Sequence, residues 1–473
     1  MKRTVLILIT LTLLIPGGIC QMAWEKIYGG KGDQFGYGVA IAPGGYAVAG
    51  HTALPGSLIT DAWILRLDEA GDTVWTRTFG GTGIDDARSV IVTGDSSIVA
   101  CGTYSHEAPF KTDFYLLKLD FSGDTLWTRR RFSPFNTYGY SVAPAPGGFI
   151  LCGYADAGKS TPRMMLVRTN DSGDTVWTRL YGDAQACTGF SAIPTYDGGF
   201  IACGYIDTYT PDWERNTYVV RTNGSGDTLW TRNYPNTGYD VAWCISETSD
   251  HGFILTGYRN FMGSTGTNLS VMRIDAYGAL MWEKNYGLSA LDIGYSGMQT
   301  TDGGFIFCGQ SNEQGSEFKG LYLVRTDAQG DSLWTRQIGD YPVNVGSCVR
   351  ETSDEGFIVA GGSNSQSADG LYDVFVVRTH PDGTITSSHS FGPDAHPVSI
   401  FPNPSQGSFT IDANSPVIRI EIFDIRGNHI TPESSSVIRP SVIRTSLPLS
   451  FKGPCLVRTT TLQGVTISKL FVF

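Results

Sequence analysis

Tyr205, Tyr209, Trp213, Tyr258 and Phe261 crowd two stretches of the chain, with Asp207, Asp212, Glu214 and Arg215 set among them. Aromatic faces beside short polar groups suit sugar rings or protein partners. These five aromatics are therefore the candidate ligand-binding residues, with ordinary loop packing as the competing explanation. Carboxylates recur at Asp33, Asp85, Asp86, Asp183, Asp240 and Asp292. Clustered carboxylates can hold Ca²⁺, but one Asp per loop reads more simply as a turn cap. Asp85 and Asp86 are the nearest approach to a metal pair, and no metal or other cofactor is expected. Seven His are scattered at 51, 106, 251, 380, 389, 396 and 429, none at metal-ligand spacing to another His or Cys. His51 and His106 fall in corresponding regions of adjacent repeats and could share a rim. A catalytic base beside a nucleophile, or an acid pair across a cleft, cannot be named from the sequence, and no Gly-rich loop leads into a helix.

The elements that must position these residues are repeats. Trp24, Trp75, Trp127, Trp177, Trp230, Trp282 and Trp334 are spaced by 51, 52, 50, 53, 52 and 52 residues. Most stand in phrases of the type Gly-Asp-Thr-Val-Trp-Thr-Arg. A fixed period of this size marks a repeat array. Residues 294–338 show the unit: a short strand over 294–299, a tight turn at Thr301-Asp302-Gly303-Gly304, an apolar strand over 305–309, a loop, a third strand over 321–326, a turn containing Gly330, and a fourth strand over 332–336. Four short antiparallel strands per ~52 residues make one propeller blade, and blades bury their faces by stacking radially. The Trp is expected to wedge between blades. The Arg or Lys two residues on (Arg77, Arg129, Arg179, Arg232, Lys284, Arg336) suits an exposed edge that must resist pairing with other chains.

Second strands number seven, led by Tyr46, Ile98, Phe149, Phe200, Phe253, Phe305 and Phe357, whereas candidate fourth strands number eight. The spare resolves if residues 24–28 supply the fourth strand of the last blade and pair with 373–379, closing the ring. The rival for that slot is the degenerate stretch 384–391, where Ser replaces Trp.

Of 473 residues, 41% are hydrophobic, 12% aromatic and only 17% charged, with 58 Gly. This is the profile of a turn-rich all-β protein. The net charge is −11. The tail, 396–473, holds seven Lys or Arg against four Asp or Glu, so the repeat region is acidic. No basic stripe is present to track phosphates, which speaks against nucleic acid. Residues 1–20 read as an export signal, with Lys2-Arg3, an apolar run from 5 to 15, and Gly18 and Cys20 before a cut at Gln21. The run is too short to span a bilayer, and no transmembrane segment is expected later. A lipoprotein reading would lipidate Cys20, but Ile19 before it is too bulky. Cys101, Cys152, Cys203 and Cys308 share a slot with Ala49, Thr256 and Ala360, as small buried fillers do. Cys244 and Cys348 share another, and neither slot demands disulfides.

Phrases such as Gly-Gly-Phe-Ile-Ala-Cys-Gly-Tyr (198–205) and Gly-Asp-Thr-Leu-Trp-Thr-Arg (226–232) resemble the Trp-bearing propeller repeats of exported bacterial proteins, loosely similar to quinoprotein propellers. That resemblance implies a fold and not an activity. Five turns with Asp-Thr or Asp-Ser before Val or Leu (Asp72, Asp124, Asp174, Asp227, Asp331) resemble a bacterial O-glycan acceptor triplet, although their turn role explains them. In the tail, Phe401-Pro402-Asn403-Pro404-Ser405-Gln406-Gly407 resembles the opening of the type A C-terminal sorting domain of the type IX secretion system. Arg426-Gly427 resembles its Gly turn and Lys469 its closing strand, while Gly453-Pro454-Cys455 departs from the usual Gly-x-Tyr. Strands over 408–412, 418–423, 456–460 and 467–472 would make a small immunoglobulin-like β-sandwich.

The resulting expectation is a signal peptide (1–20), a seven-bladed β-propeller of four-stranded blades (21–383), a linker (384–397) and a sorting sandwich (398–473). The resemblance implies passage through the periplasm, engagement of the type IX machinery, and delivery to the cell surface or outside. The function expected is a non-enzymatic binding module for glycan or protein. The alternative is a secreted polysaccharide hydrolase or lyase with carboxylates around the channel, and a passive spacer is a third possibility.

Overall fold

The computed structural model describes residues 23–106, 111–131, 135–156, 161–182, 185–208, 214–235, 238–261, 266–287, 291–312, 319–339, 342–365 and 370–385, and in the tail 399–401, 408–412, 417–424, 430–431, 434–439, 442–447, 453–461 and 464–472. All regular structure among them is β. Two compact units divide between Thr386 and Ser387, inside the stretch read as a linker.

In the first unit, 28 strands form seven antiparallel four-stranded meanders. Single parallel bridges join several neighbours: Thr60 to Ile84, Arg215 to Tyr239, Thr267 to Leu291 and Lys319 to Val343. The fourth blade is typical: Cys187–Pro194, Phe200–Thr208, Glu214–Thr222 and Thr228–Tyr234. The first strands of successive blades touch in a closed cycle, the last meeting the first. They therefore line the axis of a β-propeller. Second and third strands are apolar on both faces and almost wholly buried, because each sheet is covered on either side by its neighbours.

The ring closes as the strand count requires. Trp24–Tyr28 pairs with Asp373–Thr379 as the outer strand of the last blade, in register from Trp24 opposite Arg378 to Tyr28 opposite Val374. Thr384 and Ile385 lie outside any strand.

Each outer-strand Trp does wedge between blades. The Trp177 ring lies on Gly226 of the next blade, whose φ is +81° and whose Cβ, if present, would stand 3.1 Å from the ring. The indole N–H of Trp177 donates to the Gly224 carbonyl at 3.1 Å. Six equivalent Trp/Gly pairs run round the ring, Trp24 on Gly71 closing it. The cation two residues later does more than guard an edge. Arg129 stacks over Trp127 at 5.3 Å and pairs with Asp174 of the next blade at 3.0 Å. Lys26 and Lys284 reach Asp72 and Asp331 in the same way. The turn Asp thus joins neighbouring blades, each contact adding roughly 0.5–1 kcal/mol at such exposed sites.

A second repeated device lies on the third strand. Arg66, Arg168, Arg221, Arg273, Arg325 and Arg378 occupy one slot, and Lys118 holds it in the second blade. Arg325 is 6% exposed, donates to the carbonyls of Phe305 and Thr326, and pairs with Asp302 in the hairpin turn. The guanidinium satisfies carbonyls at the sheet end that would otherwise be buried unpaired.

The second unit holds a four-stranded sheet and a three-stranded sheet. Phe409 and Ile411 from one share a core with Ile422 and Val457 from the other, giving a two-sheet sandwich. The four expected strands are present as Ser408–Asp412, Val417–Asp424, Gly453–Thr461 and Gly464–Val472. Ser399–Phe401, Ser434–Arg439 and Val442–Ser446 are additional.

Candidate functional site

The innermost strand of every blade carries a β-bulge at the same place. Register shifts fall at Gly36/Gly38, Ala87/Ser89, Gly139/Ser141, Gly189/Ser191, Ala242/Cys244, Gly294/Ser296 and Gly346/Cys348. A bulge leaves one residue unpaired and re-aims its side chain. The residues so treated are Tyr37, Arg88, Tyr140, Phe190, Trp243, Tyr295 and Ser347. The residue before each is Gly or Ala because the preceding blade presses on it; a Cβ on Gly139 would stand 2.4 Å from the Gly102 carbonyl oxygen. In four blades the residue after is a Ser. The hydroxyls of Ser89, Ser141, Ser191 and Ser296 accept an amide N–H from the next blade.

Six of the seven bulge residues touch in sequence around the axis. The Arg88 guanidinium lies between the rings of Tyr37 and Tyr140, at 4.9 and 4.8 Å. Tyr140 meets Phe190 edge-on at 4.9 Å, Phe190 lies 4.0 Å from Trp243, and Trp243 lies 5.9 Å from Tyr295. All but Phe190 are half-buried. A second tier comes from the adjacent strand: Tyr154 stacks on Tyr138 at 4.5 Å, Tyr205 stands 5.9 Å from Phe190, and Tyr258 joins them.

On blades three to five the two tiers enclose a cleft of about 260 Å³, walled by Tyr140, Tyr154, Phe190, Tyr205, Trp243 and Tyr258 together with Arg215. A few polar groups among aromatic walls is the usual make-up of a ligand cleft. Arg215 spreads over the Tyr205 ring at 3.8 Å and holds Asp207 through Nε and Nη2, at 2.8 and 3.3 Å. Burial opposes its charge, but Asp207 and the neighbouring phenols outweigh that and raise its pKa. Burial raises the phenols: Tyr37 and Tyr295 reach about 12, and Tyr140, Tyr154 and Tyr258 also rise. These hydroxyls therefore keep their protons at neutral pH and act as hydrogen-bond groups rather than as bases. A larger cavity of about 480 Å³ lies between the second and third blades. Its walls are core residues such as Phe114 and Leu151 and the Arg129–Asp174 pair, so it is a seam between sheets.

Of the five aromatics singled out by sequence, Tyr205 and Tyr258 meet in the cleft. Phe261 ends the strand Phe253–Phe261, and Tyr209 and Trp213 lie outside the described residues. Tyr140, Tyr154, Phe190 and Trp243 were not singled out. For the three at bulges, Tyr140, Phe190 and Trp243, the signal is legible in retrospect as small–X–small, the pattern that runs from Gly36-Tyr37-Gly38 to Gly346-Ser347-Cys348. Asp85 and Asp86 do not converge. Asp85 accepts the amides of Gly81 and Ser105 at 2.7 and 2.6 Å. Asp86 accepts that of Thr103 at 2.9 Å and pairs with Arg88 at 2.7 Å. Asp85 thus holds backbone, Asp86 holds backbone and the bulge residue Arg88, and no group of three metal-ligating side chains occurs among the described residues. His51 and His106 each have their own acid, Asp33 at 3.2 Å and Asp113 at 2.8 Å. His51 also contacts the Tyr37 hydroxyl at 3.1 Å. Cys20, Gln21, Pro402, Asn403, Pro404, Gly407 and Gly427 lie outside the described residues, and Lys469 sits opposite Leu456 in the closing pair of strands. Cys101, Cys152, Cys203, Cys244, Cys308 and Cys348 are free thiols. No helix among the described residues is long and apolar enough to cross a membrane.

Residues 399–470 match the family model of the secretion system C-terminal sorting domain. No curated protein matches the chain. Among solved structures, the chain is similar to PorZ, a surface component of the type IX secretion system of Porphyromonas gingivalis (10% identity, 92% of this chain and 70% of that one, TM-score 0.35). It is also similar to the propeller domain of the trilobed protease of Pyrococcus furiosus (10%, 76% and 100%, TM-score 0.42). A third similar structure is an ulvan lyase of polysaccharide lyase family PL25 (11%, 76% and 97%, TM-score 0.46). The tail is a type IX sorting domain, and such domains mark proteins exported to the cell surface or beyond.

Proposed function

We propose that this exported β-propeller is a binding module whose aromatic cleft on blades three to five takes a glycan chain. The observation that carries the reading is the cleft itself: seven bulges turn one side chain per blade toward the axis, and on three adjacent blades those side chains are Tyr140, Phe190 and Trp243. Flat rings offer the C–H faces of a pyranose a matching apolar surface, and protonated phenols beside them can hydrogen-bond its hydroxyls. The sorting domain engages the type IX machinery, with Pro402, Asn403, Pro404, Gly407, Gly427 and Lys469 as its recognition elements. Array binding of the full chain and of Trp243→Ala tests the reading. Selective retention of some glycan by the wild type, lost in the variant, is expected. Equal retention by both, or by neither, would overturn it.

A polysaccharide hydrolase or lyase is the second reading. The run Asp33–His51–Tyr37, at 3.2 and 3.1 Å, favours it, because it brings three titratable groups together at a bulge residue of the inner edge. Chain cleavage by the wild type that stops in His51→Ala would establish it. The raised Tyr37 pKa and the contact of Asp33 with the Tyr372 amide at 3.1 Å fit a structural tie equally well.

A further inference from the structure

Resting on the carbohydrate reading, we propose that the cleft selects uncharged sugars and rejects uronates and sulfated chains. An acidic sugar needs a guanidinium or ammonium free to meet its anion. The two guanidiniums at this site are already committed. Arg215 is held by Asp207 through Nε and Nη2, and its face is covered by Tyr205 at 3.8 Å. Arg88 is paired with Asp86, and both of its faces are covered, by Tyr37 and Tyr140. Deeper in, Arg259 is held by Asp240 and Glu283. An anionic ligand would have to displace a carboxylate from a ring-covered ion pair, bidentate in the case of Arg215 and Asp207, and nothing in the geometry compensates for that loss.

What remains on offer is uncharged. The ring faces carry the negative side of their quadrupole and repel anions. The phenols of Tyr140, Tyr154 and Tyr258, raised by burial, stay protonated. The chain as a whole carries −11, which slows the approach of a polyanion. Each arginine serves instead as a rigid plate that fixes the angle of the ring it covers, so its charge contributes to the shape of the cleft and not to its specificity.

The test compares the full chain on neutral hexasaccharides (cellohexaose, xylohexaose, maltohexaose) with hexagalacturonate, hexamannuronate and a sulfated hexasaccharide, between 50 and 500 mM salt. At least one neutral chain should bind tenfold or more tighter than every acidic one, with affinity unchanged by salt within about twofold. Asp207→Asn should release Arg215 and raise affinity for hexagalacturonate several-fold. A preference for an acidic chain that fades with salt would overturn this inference and leave the carbohydrate reading standing. No gain of acidic binding in a folded Asp207→Asn chain would also overturn it. Retention of neither class would remove the carbohydrate reading, and this inference with it.

Discussion

The outer and inner edges of the blades treat their repeat in opposite ways. At the outer edge one arrangement recurs in blade after blade: a Trp on the next blade's Gly, a cation over the Trp, an Asp in the adjoining turn. At the inner edge the backbone event recurs, one bulge per first strand, but its residue runs Tyr, Arg, Tyr, Phe, Trp, Tyr, Ser. Slots that repeat in identity hold the ring together. A slot that repeats in geometry while its residue varies is free to build a surface that differs from blade to blade, and on blades three to five that surface is aromatic and hollow.

The contrast can be broken most severely at the closure. Removing residues 24–28 deletes one outer strand and the Trp24–Gly71 wedge. The loss should be on the order of 5 kcal/mol, from ladder hydrogen bonds and a large apolar side chain together, and should appear in thermal unfolding as a much lower or split transition. Trp177→Ala removes one wedge of seven. It should cost roughly 2–3 kcal/mol, less than a fully buried Trp because the ring is half-exposed, and should leave ligand affinity unchanged. Trp243→Ala should invert that pattern, weakening glycan binding at least tenfold while lowering the unfolding temperature less than Trp177→Ala does. Should the two variants behave alike in both assays, the division between architectural and functional slots fails.

A smaller effect sharpens the architectural side. In the fifth blade the Thr248 hydroxyl, with Arg273 and the Gly252 amide, holds the Asp250 carboxyl below the ordinary Asp range despite some burial. Its folded pKa is below its unfolded value of about 3.9. The stabilisation is therefore complete above about pH 4 and is lost as pH falls through the lower folded value. Asp302 is lowered in the corresponding turn of the next blade. Acid titration of the unfolding midpoint should show a decline beginning below about pH 4, shallower in Asp250→Asn. The cleft, where burial raises the phenols of Tyr140, Tyr154 and Tyr258, should bind unchanged between pH 5 and 8.

The Trp spacing and the count of strands made the ring legible in the sequence, including its closure by Trp24–Tyr28 against Asp373–Thr379. Such features follow from period and arithmetic. The buried third-strand arginines were not legible. An Arg within an apolar run reads as solvent-facing, and only the three-dimensional end of the sheet shows that its donors meet carbonyls of two strands and a turn Asp. The cleft was half legible. Tyr205 and Tyr258 stand out as aromatics beside charged residues, whereas Tyr140, Phe190 and Trp243 look like ordinary strand residues. A bulge shifts the alternation by one, so the side chain that period two sends into the sheet is turned out of it instead. Reading small–X–small as a bulge would have found all seven.

The central claim is that ligand sits on the inner edge and nowhere on the outer. Amide hydrogen exchange of the full chain, with and without saturating cellohexaose, xylohexaose or maltohexaose in turn, addresses it most directly. The account predicts that one of these sugars adds protection confined to the inner hairpins of blades three to five, residues 136–156, 187–208 and 238–261. Protection on the outer strands, or none with any of the three, would contradict it.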